Sequence, residues 1–370
     1  MKFDQYLEGN GKYDYLKFDT PEYNLEDENV MIIEELKAKN GRGKYILDRK
    51  KKYFFAMNLF NNEEIIPYMI QEISLLIKFL GPENVFLSIY ENGSQDKTKD
   101  MLHEYESFLK KTDVRFSIVT EDIKRPKIYH RIGYLAGIRN RPLVSLVEEE
   151  KKGFMYDKII FFNDILFCRN DILELLYQSD LQKSDITSPL DVHGVGNPRH
   201  LDFRDSWVAR DIGGKNLYGN LNNLVKHKET GKRYNEGLPL QVQCSWNGVS
   251  VLNAEPFYGK DPVRFRRSDV DKKECAASEC SLLCNDYWRK GYRRIVLVPS
   301  ILVSYNMETA ILIDDNYQTF IDKNVTLPEK IKYVDGPEKI YCRGLEKNNT
   351  NTPDTGAVWI KYTDGDTKVY

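Results

Sequence analysis

The sequence predicts a Rossmann-like, doubly wound mixed α/β sheet with helices on both faces, and three observations carry the prediction. Apolar runs of strand length alternate with segments whose apolar residues recur at helical spacing. The stretches joining the first three runs are long enough for parallel pairing, which needs a crossover. The runs end in polar loops, and sheets of this kind bind ligands outside the carboxyl ends of their strands.

Tyr53 to Leu59, reading Tyr-Phe-Phe-Ala-Met-Asn-Leu, predicts a buried strand. Asn61-Asn62-Glu63-Glu64 then opens a helix with a capping side chain and first-turn acids. Ile66, Met69, Ile70, Ile73, Leu76, Ile77 and Leu80 give its apolar stripe, and Gly81-Pro82 ends it. Val85 to Tyr90 is a second strand, followed by a helix with Met101, Leu102, Tyr105, Phe108 and Leu109 on one face and by a third strand from Arg115 to Thr120. Lys158-Ile159-Ile160-Phe161 is another apolar run, and Phe162-Asn163-Asp164 closes it with a carboxylate where a buried strand meets solvent. Beyond it come a helix near Asp171 to Gln178, a strand near Asp185 to Pro189, a long polar stretch from Asp191 to Gln241, and a buried strand from Arg294 to Val303. The tail holds polar turns, among them Lys347 to Thr352, and a short strand-like piece from Ala357 to Tyr362. No internal repeat is visible.

With 370 residues, 41% of them hydrophobic, the chain can bury a large core. Its 54 basic and 56 acidic residues leave a net charge of −2, which argues against nucleic acid or an anionic membrane surface as main partner. No apolar run reaches the roughly 18 residues of a bilayer span, and the start lacks the apolar core of a signal peptide, so a soluble chain is expected. The six cysteines, Cys168, Cys244, Cys275, Cys280, Cys284 and Cys342, lack zinc-site spacing and favour disulfides over metal. Three N-x-[ST] sequons, at Asn92, Asn324 and Asn348, are compatible with a secretory lumen.

The strand ends near Asn58, Glu91 and Asn163-Asp164 converge on one crevice. The glycines are wrongly spaced for a dinucleotide fingerprint and no G-x-x-x-x-G-K-[ST] occurs, so NAD and P-loop readings lose their support. Asp164 could grip a divalent cation against a diphosphate, or could cap the helix that starts near Arg169 or Asn170. Glu91, followed by Asn92-Gly93-Ser94-Gln95-Asp96, could accept hydrogen bonds from a base or ribose, although the same loop is good turn and capping chemistry. Arg131 and Arg139, on a helix ending at Asn140, could meet phosphate or pair with surface acids. Asp202 to Asp211 sets Asp205, Trp207, Arg210 and Asp211 among acids, arginines and an aromatic, which suits a sugar or a self-bridged loop. Trp246-Asn247-Gly248 is a turn with an aromatic and an amide, for sugar contact or a core hairpin. Glu274 to Arg289 reads as a helix with Cys280 and Cys284 one turn apart and Glu279 beside them, which taken alone is a helix-surface acid. None of the five histidines has ligand spacing.

Together Phe55-Ala56-Met57-Asn58-Leu59 with Asn61-Asn62-Glu63, Ser88-Ile89-Tyr90-Glu91-Asn92-Gly93-Ser94, Phe162-Asn163-Asp164, Trp207-Val208-Ala209-Arg210-Asp211, Cys244-Ser245-Trp246-Asn247-Gly248 and Ser278-Glu279-Cys280 resemble, in one collinear order, the fungal capsule-associated α-1,3-mannosyltransferases, glycosyltransferase family 69. The resemblance runs from about Tyr53 to Tyr305. It implies a GT-A fold, a GDP-mannose donor, Mn2+ or Mg2+, a mannose-containing glycan acceptor and α-1,3 transfer with retention. It also implies Golgi residence, with any anchor lying outside this chain; a cytoplasmic place is the alternative. On this reading 1–52 is a stem or surface wrap, 53–305 the catalytic domain and 306–370 an extension packed on it. Asp164 would be the main metal ligand, with Asn163 or water filling in where the family has a second acid. Asn58, Glu91, Asn92, Arg131, Arg139 and Asn163 would hold the donor nucleotide. Glu279 and Asp205 are the catalytic candidates, and Trp207, Arg210, Asp211, Trp246, Asn247 and Gly248 the sugar contacts. A UDP-sugar donor, or a catalytically silent carbohydrate-binding protein on the same fold, are the alternatives.

Overall fold

The computed structural model describes the backbone of three short N-terminal strands and then residues 50–123, 129–196, 199–313, 324–347, 356–365 and 367–369. Most of the expected stem, the sequon at Asn348 and most of the turn after Lys347 lie outside the described residues. Within the first region β1 (Tyr23–Asn24), β2 (Val30–Glu34) and β3 (Lys44–Asp48) form a separate antiparallel sheet.

The main sheet has eleven strands and is mixed, as the sequence predicts. β4 (Tyr53–Leu59), β5 (Val85–Asn92), β6 (Arg115–Glu121) and β7 (Lys158–Phe162) pair in parallel, in the order β7-β4-β5-β6. The crossovers are α1 (Ile66–Leu80), α2 (Thr98–Leu109), and the pair α3 (Arg131–Asn140) and α4 (Leu143–Lys151). α5 (Arg169–Leu181) then leads to β8 (Ile186–Val195), which carries the small strands β9 (His200–Phe203), β10 (Arg210–Asp211) and β11 (Gly219–Asn220) in the chain that follows it. After α6 (Lys228–Asn235) come β12 (Leu240–Cys244) and β13 (Val249–Asn253), then α7 (Glu279–Arg289) and β14 (Ile295–Val303).

β13 is the central strand the sequence reading passes over, along with α4, α6 and the small strands β9 to β11. It lies between β7 and β8 in the middle of the sheet and runs antiparallel to both, while β14 pairs parallel to β8. Its five residues are too few to separate a buried strand from the end of a hairpin turn.

The strand pleat divides the core. Phe55 and Met57 point into one cluster with Leu76, Leu87, Ile160 and Leu173, while Phe54 and Ala56 point into another with Phe161, Trp246, Leu283 and Trp288. Both faces are covered, which is why these strands read as continuous apolar runs. Truncating Phe161, which is fully buried, would cost about 3–5 kcal/mol.

Two local expectations need correction. No side chain of residues 61–64 caps α1, which begins at Ile66 with Pro67 in its first turn. The acids and amides there instead join the next loop: the amide N–H of Glu63 donates to Asp96 Oδ2 at 3.0 Å, and Glu63 Oε2 accepts from the amide of Lys97 at 3.0 Å. The helix expected from Glu274 starts only at Glu279, capped by the Ser278 hydroxyl, which accepts from the amide of Cys280. Cys275 is therefore outside it and forms a disulfide with Cys342, while Cys244 and Cys284 form the second. Cys168 and Cys280 are buried free thiols.

The C-terminal region packs on the sheet domain. β15 (Ile340–Cys342) and β16 (Val358–Ile360) pair with each other, Gln241 exchanges amide hydrogen bonds with Val334, and Arg233 donates to the carbonyls of Pro328 and Glu329. Among the described residues no helix is long and apolar enough to cross a membrane.

Candidate active site

Because β4, β5 and β7 run parallel, they release their chains at one rim, and Asn58, Asn92 and Asn163-Asp164 meet there. A cavity of about 490 Å3 opens at this rim, with Asn58, Asn92, Arg131, Arg139, Asn163 and Asp164 in its wall. The sequence assigns all six to the nucleotide or the metal. Phe60, Ile123, Tyr134 and Leu135 add an apolar side that sequence reasoning does not single out.

Asp164 is half-buried and its Oδ2 accepts from the amide nitrogen of Asn62 at 3.2 Å. Burial pushes its carboxyl above the usual range, and the Asn62 hydrogen bond acts against that shift. Among the described residues no three His, Cys, Asp or Glu side chains gather as a ready-made metal cage. A hard divalent cation nevertheless fits one buried carboxylate when phosphate oxygens and water complete its shell. Asn163 does not fit the filling-in role. Its Oδ1 already accepts from Arg139 Nη1 at 2.8 Å and from the Trp246 indole at 3.2 Å, and its amide nitrogen donates to the Tyr305 hydroxyl at 2.9 Å.

Arg139 is the hub beneath the cavity. Its Nε donates to Glu279 Oε1 at 2.7 Å, and its guanidinium lies 5.1 Å from the Trp246 ring centre and 5.6 Å from that of Phe161. The cation therefore ties α3, the end of β7 and the first turn of α7 together. Arg131 is exposed at the cavity wall.

Several expected contacts sit elsewhere. Glu91 is fully buried and accepts from the Ser94 amide, so it shapes the loop without lining the cavity. Trp246 is 1% exposed and packs edge-on to Phe265, which makes it a core residue under the site. Asn247 and Gly248 form the turn behind Asn163: the Gly248 carbonyl accepts from the Asn163 amide at 2.7 Å, and Asn247 Nδ2 donates to the Pro189 carbonyl at 2.6 Å. Gly248 has φ +85°, and a Cβ there would lie 2.9 Å from Ile165 Cγ2. Arg210 and Asp211 are buried away from the cavity, Arg210 donating to the Tyr341 carbonyl and Asp211 accepting from the amides of Gly213 and Lys215. Trp207 is half-buried.

The two catalytic candidates lie on the Arg139 side. Glu279 is 2% exposed and is held by Arg139 and the Ser278 hydroxyl. Asp205 Oδ2 accepts from the Asn247 amide at 3.3 Å; burial, partly opposed by that bond and by the Arg139 charge, pushes its carboxyl up to about 6.

This geometry defines an α/β protein with a polar, partly cationic cavity at the carboxyl rim of its sheet, where such folds bind their ligands. Residues 52–286 match the family described as Cryptococcal mannosyltransferase 1, and the chain belongs to that family. It is 30% identical over 280 residues to alpha-1,3-mannosyltransferase CMT1 of Cryptococcus neoformans var. neoformans serotype D, the match covering 71% of this chain and 59% of that protein. The chain thus spans less than two thirds of this relative's length. Among solved structures, mannosyltransferase PcManGT from Pyrobaculum calidifontis in complex with GDP-Man and Mn2+ is 12% identical at a TM-score of 0.39, covering 70% of this chain and 58% of that one. GalNAc-T7 with UDP, GalNAc and Mn2+ is 12% identical at 0.40, covering 71% and 45%. Likenesses this remote assign no ligand and no site.

Proposed function

We propose that this chain is a GT-A glycosyltransferase that moves mannose from GDP-mannose to a mannose-containing glycan, forming an α-1,3 linkage with retention. The observation that carries the reading is the meeting of Asn58, Asn92, Arg131, Arg139, Asn163 and Asp164 in one cavity, in a chain of a mannosyltransferase family. Asp164 would hold a divalent cation, Mn2+ or Mg2+, which when bound supplies Lewis-acid charge to the leaving diphosphate. Arg131 and Arg139 add positive charge to the same wall, and Asn58, in that wall too, would meet the nucleotide. Glu279 and Asp205 are the carboxylates for the sugar side, either as a nucleophile at the anomeric carbon or as stabilisers of a same-face transfer.

A lumenal location, the Golgi by family, suits the two disulfides and the exposed sequon at Asn324. The sequon at Asn92 lies in the cavity wall, where a glycan would obstruct the site.

A thermal-shift panel tests the donor. GDP and GDP-mannose with Mn2+ should raise Tm by mass action and UDP should not. Stabilisation by UDP alone would transfer the reading to a UDP-sugar, and sugar binding with no nucleotide response would leave a silent lectin-like protein.

A further inference from the structure

Asp205 has a second carboxyl group behind it that the sequence reading passes over. Asp191, on β8, is 1% exposed. Its Oδ1 accepts from the backbone amide of Asp205 at 3.2 Å, and its carbonyl accepts from the amide of Arg204 at 3.0 Å. Among the described residues no cation forms an ion pair with its side chain. The Arg204 guanidinium instead lies over the Tyr305 ring, 3.7 Å from its centre. The groups that face this pair are Arg204 on its own loop, Tyr305 after β14, and, on the Asp205 side, Arg139 from α3 and Glu279 from α7. Tyr305 also accepts from Asn163, so the pocket around the two acids shares a wall with the donor cavity.

A buried carboxylate with a single amide donor, no ion-pair partner and an acidic neighbour is more stable protonated than charged. Burial and the nearby Asp205 charge push Asp191 well above the ordinary carboxylate range, whereas Asp205 has the Asn247 amide and the Arg139 charge to favour its ionised form.

We propose that Asp191 is a positioning residue held as a neutral carboxylic acid, which fixes the Arg204-Asp205 backbone and leaves Asp205 as the charged member of the pair. A neutral Asp191 removes one negative charge from a pocket that adjoins the cavity assigned to a diphosphate. The role given to Asp205 rests on the transferase reading; the protonation of Asp191 is a property of the folded chain and can be read without any activity.

Carboxyl 13C NMR on the full chain with labelled aspartate tests it. The resonance lost in Asp191→Asn should sit at the protonated position at pH 7, and in Asp205→Asn the same resonance should titrate at least about one unit lower than in the parent. In a transfer assay Asp191→Asn, which keeps a neutral head and an acceptor for the Asp205 amide, should retain at least about tenfold more activity than Asp191→Ala. An ionised Asp191 at pH 7 overturns the proposal. So does an Asn variant as impaired as the Ala variant. If the parent transfers no sugar while Asp191 is protonated, the transferase reading fails and the assignment of Asp191 stands. Should Asp191→Asn fail to fold, the Asp205→Asn spectrum decides by the same shift.

Discussion

Asp164 sits under two opposing influences: burial favours its neutral form, and a cation held against a diphosphate would favour its charge. Asp164→Asn keeps a side chain that can still meet Asn62 but gives up the anionic oxygen, so transfer should fall about 10²–10³-fold with little change in unfolding midpoint. Steady-state kinetics across a manganese titration checks it, and an unchanged rate with unchanged metal dependence would remove Asp164 from the site. Arg139 differs because its worth is structural as well as electrostatic. Replacing it by Met leaves Glu279 buried without its cation, a loss of about 3–5 kcal/mol that urea unfolding would register. Residue types alone foretell this unevenly. Asn58 and Asp164 are legible because they sit at strand ends, and Arg131 because it is a basic residue on a readable helix, whereas Trp246 and Arg210 carry the chemistry of a sugar site and are buried as scaffold. Asp191 carries no such signal, since it lies in the middle of β8, a strand that Thr187, Ser188 and Pro189 keep from reading as an apolar run.

At the scale of elements, the first turn of α7 is what brings Glu279 to Arg139, and a charged cluster anchors that helix. Glu274 Oε2 accepts from Arg266 Nη1 at 2.7 Å and from the Asp269 amide at 2.8 Å, Oε1 accepts from Arg289 Nη2 at 2.8 Å, and Asp286 bonds both arginines. Burial alone would raise the Glu274 carboxyl, but the Arg266 hydrogen bonds and the two nearby cations hold it down to about 2. A depressed acid stabilises the fold above its unfolded pKa, about 4.3, and that contribution is lost as pH falls toward the folded value. Glu274→Gln should therefore be less stable than the parent at pH 7, by about 1–2 kcal/mol after solvent screening, and the gap should close between about pH 4 and pH 2. Denaturant titrations at several pH values measure this; a gap independent of pH would show that the carboxylate charge is not what anchors the helix. The parallel strands are legible because burial on both faces writes them as apolar runs. β13 is not, since a five-residue strand after a positive-φ turn has the pattern of a hairpin, and only its partners β7 and β8 reveal it as central.

Over the whole molecule, a parallel half-sheet supplies the cavity, and the turn leading into the antiparallel β13, at Trp246, Asn247 and Gly248, backs the wall residue Asn163 from behind. The Cys244–Cys284 bond joins the strand leading into that turn to α7, and Cys275–Cys342 ties the C-terminal region to the chain just before α7. The fold class follows from periodicity that every strand and helix repeats, so it survives errors at single positions. The site is less legible, because which of many polar residues reach the cavity depends on contacts between segments a hundred or more residues apart, such as Asn62 with Asp164 and Arg139 with Glu279. The most direct measurement is a crystal structure with GDP and Mn2+ recorded at the manganese absorption edge. The anomalous peak should lie beside Asp164, with the diphosphate on the wall that holds Arg131 and Arg139. A manganese and nucleotide bound away from the Asp164 carboxylate would contradict the account.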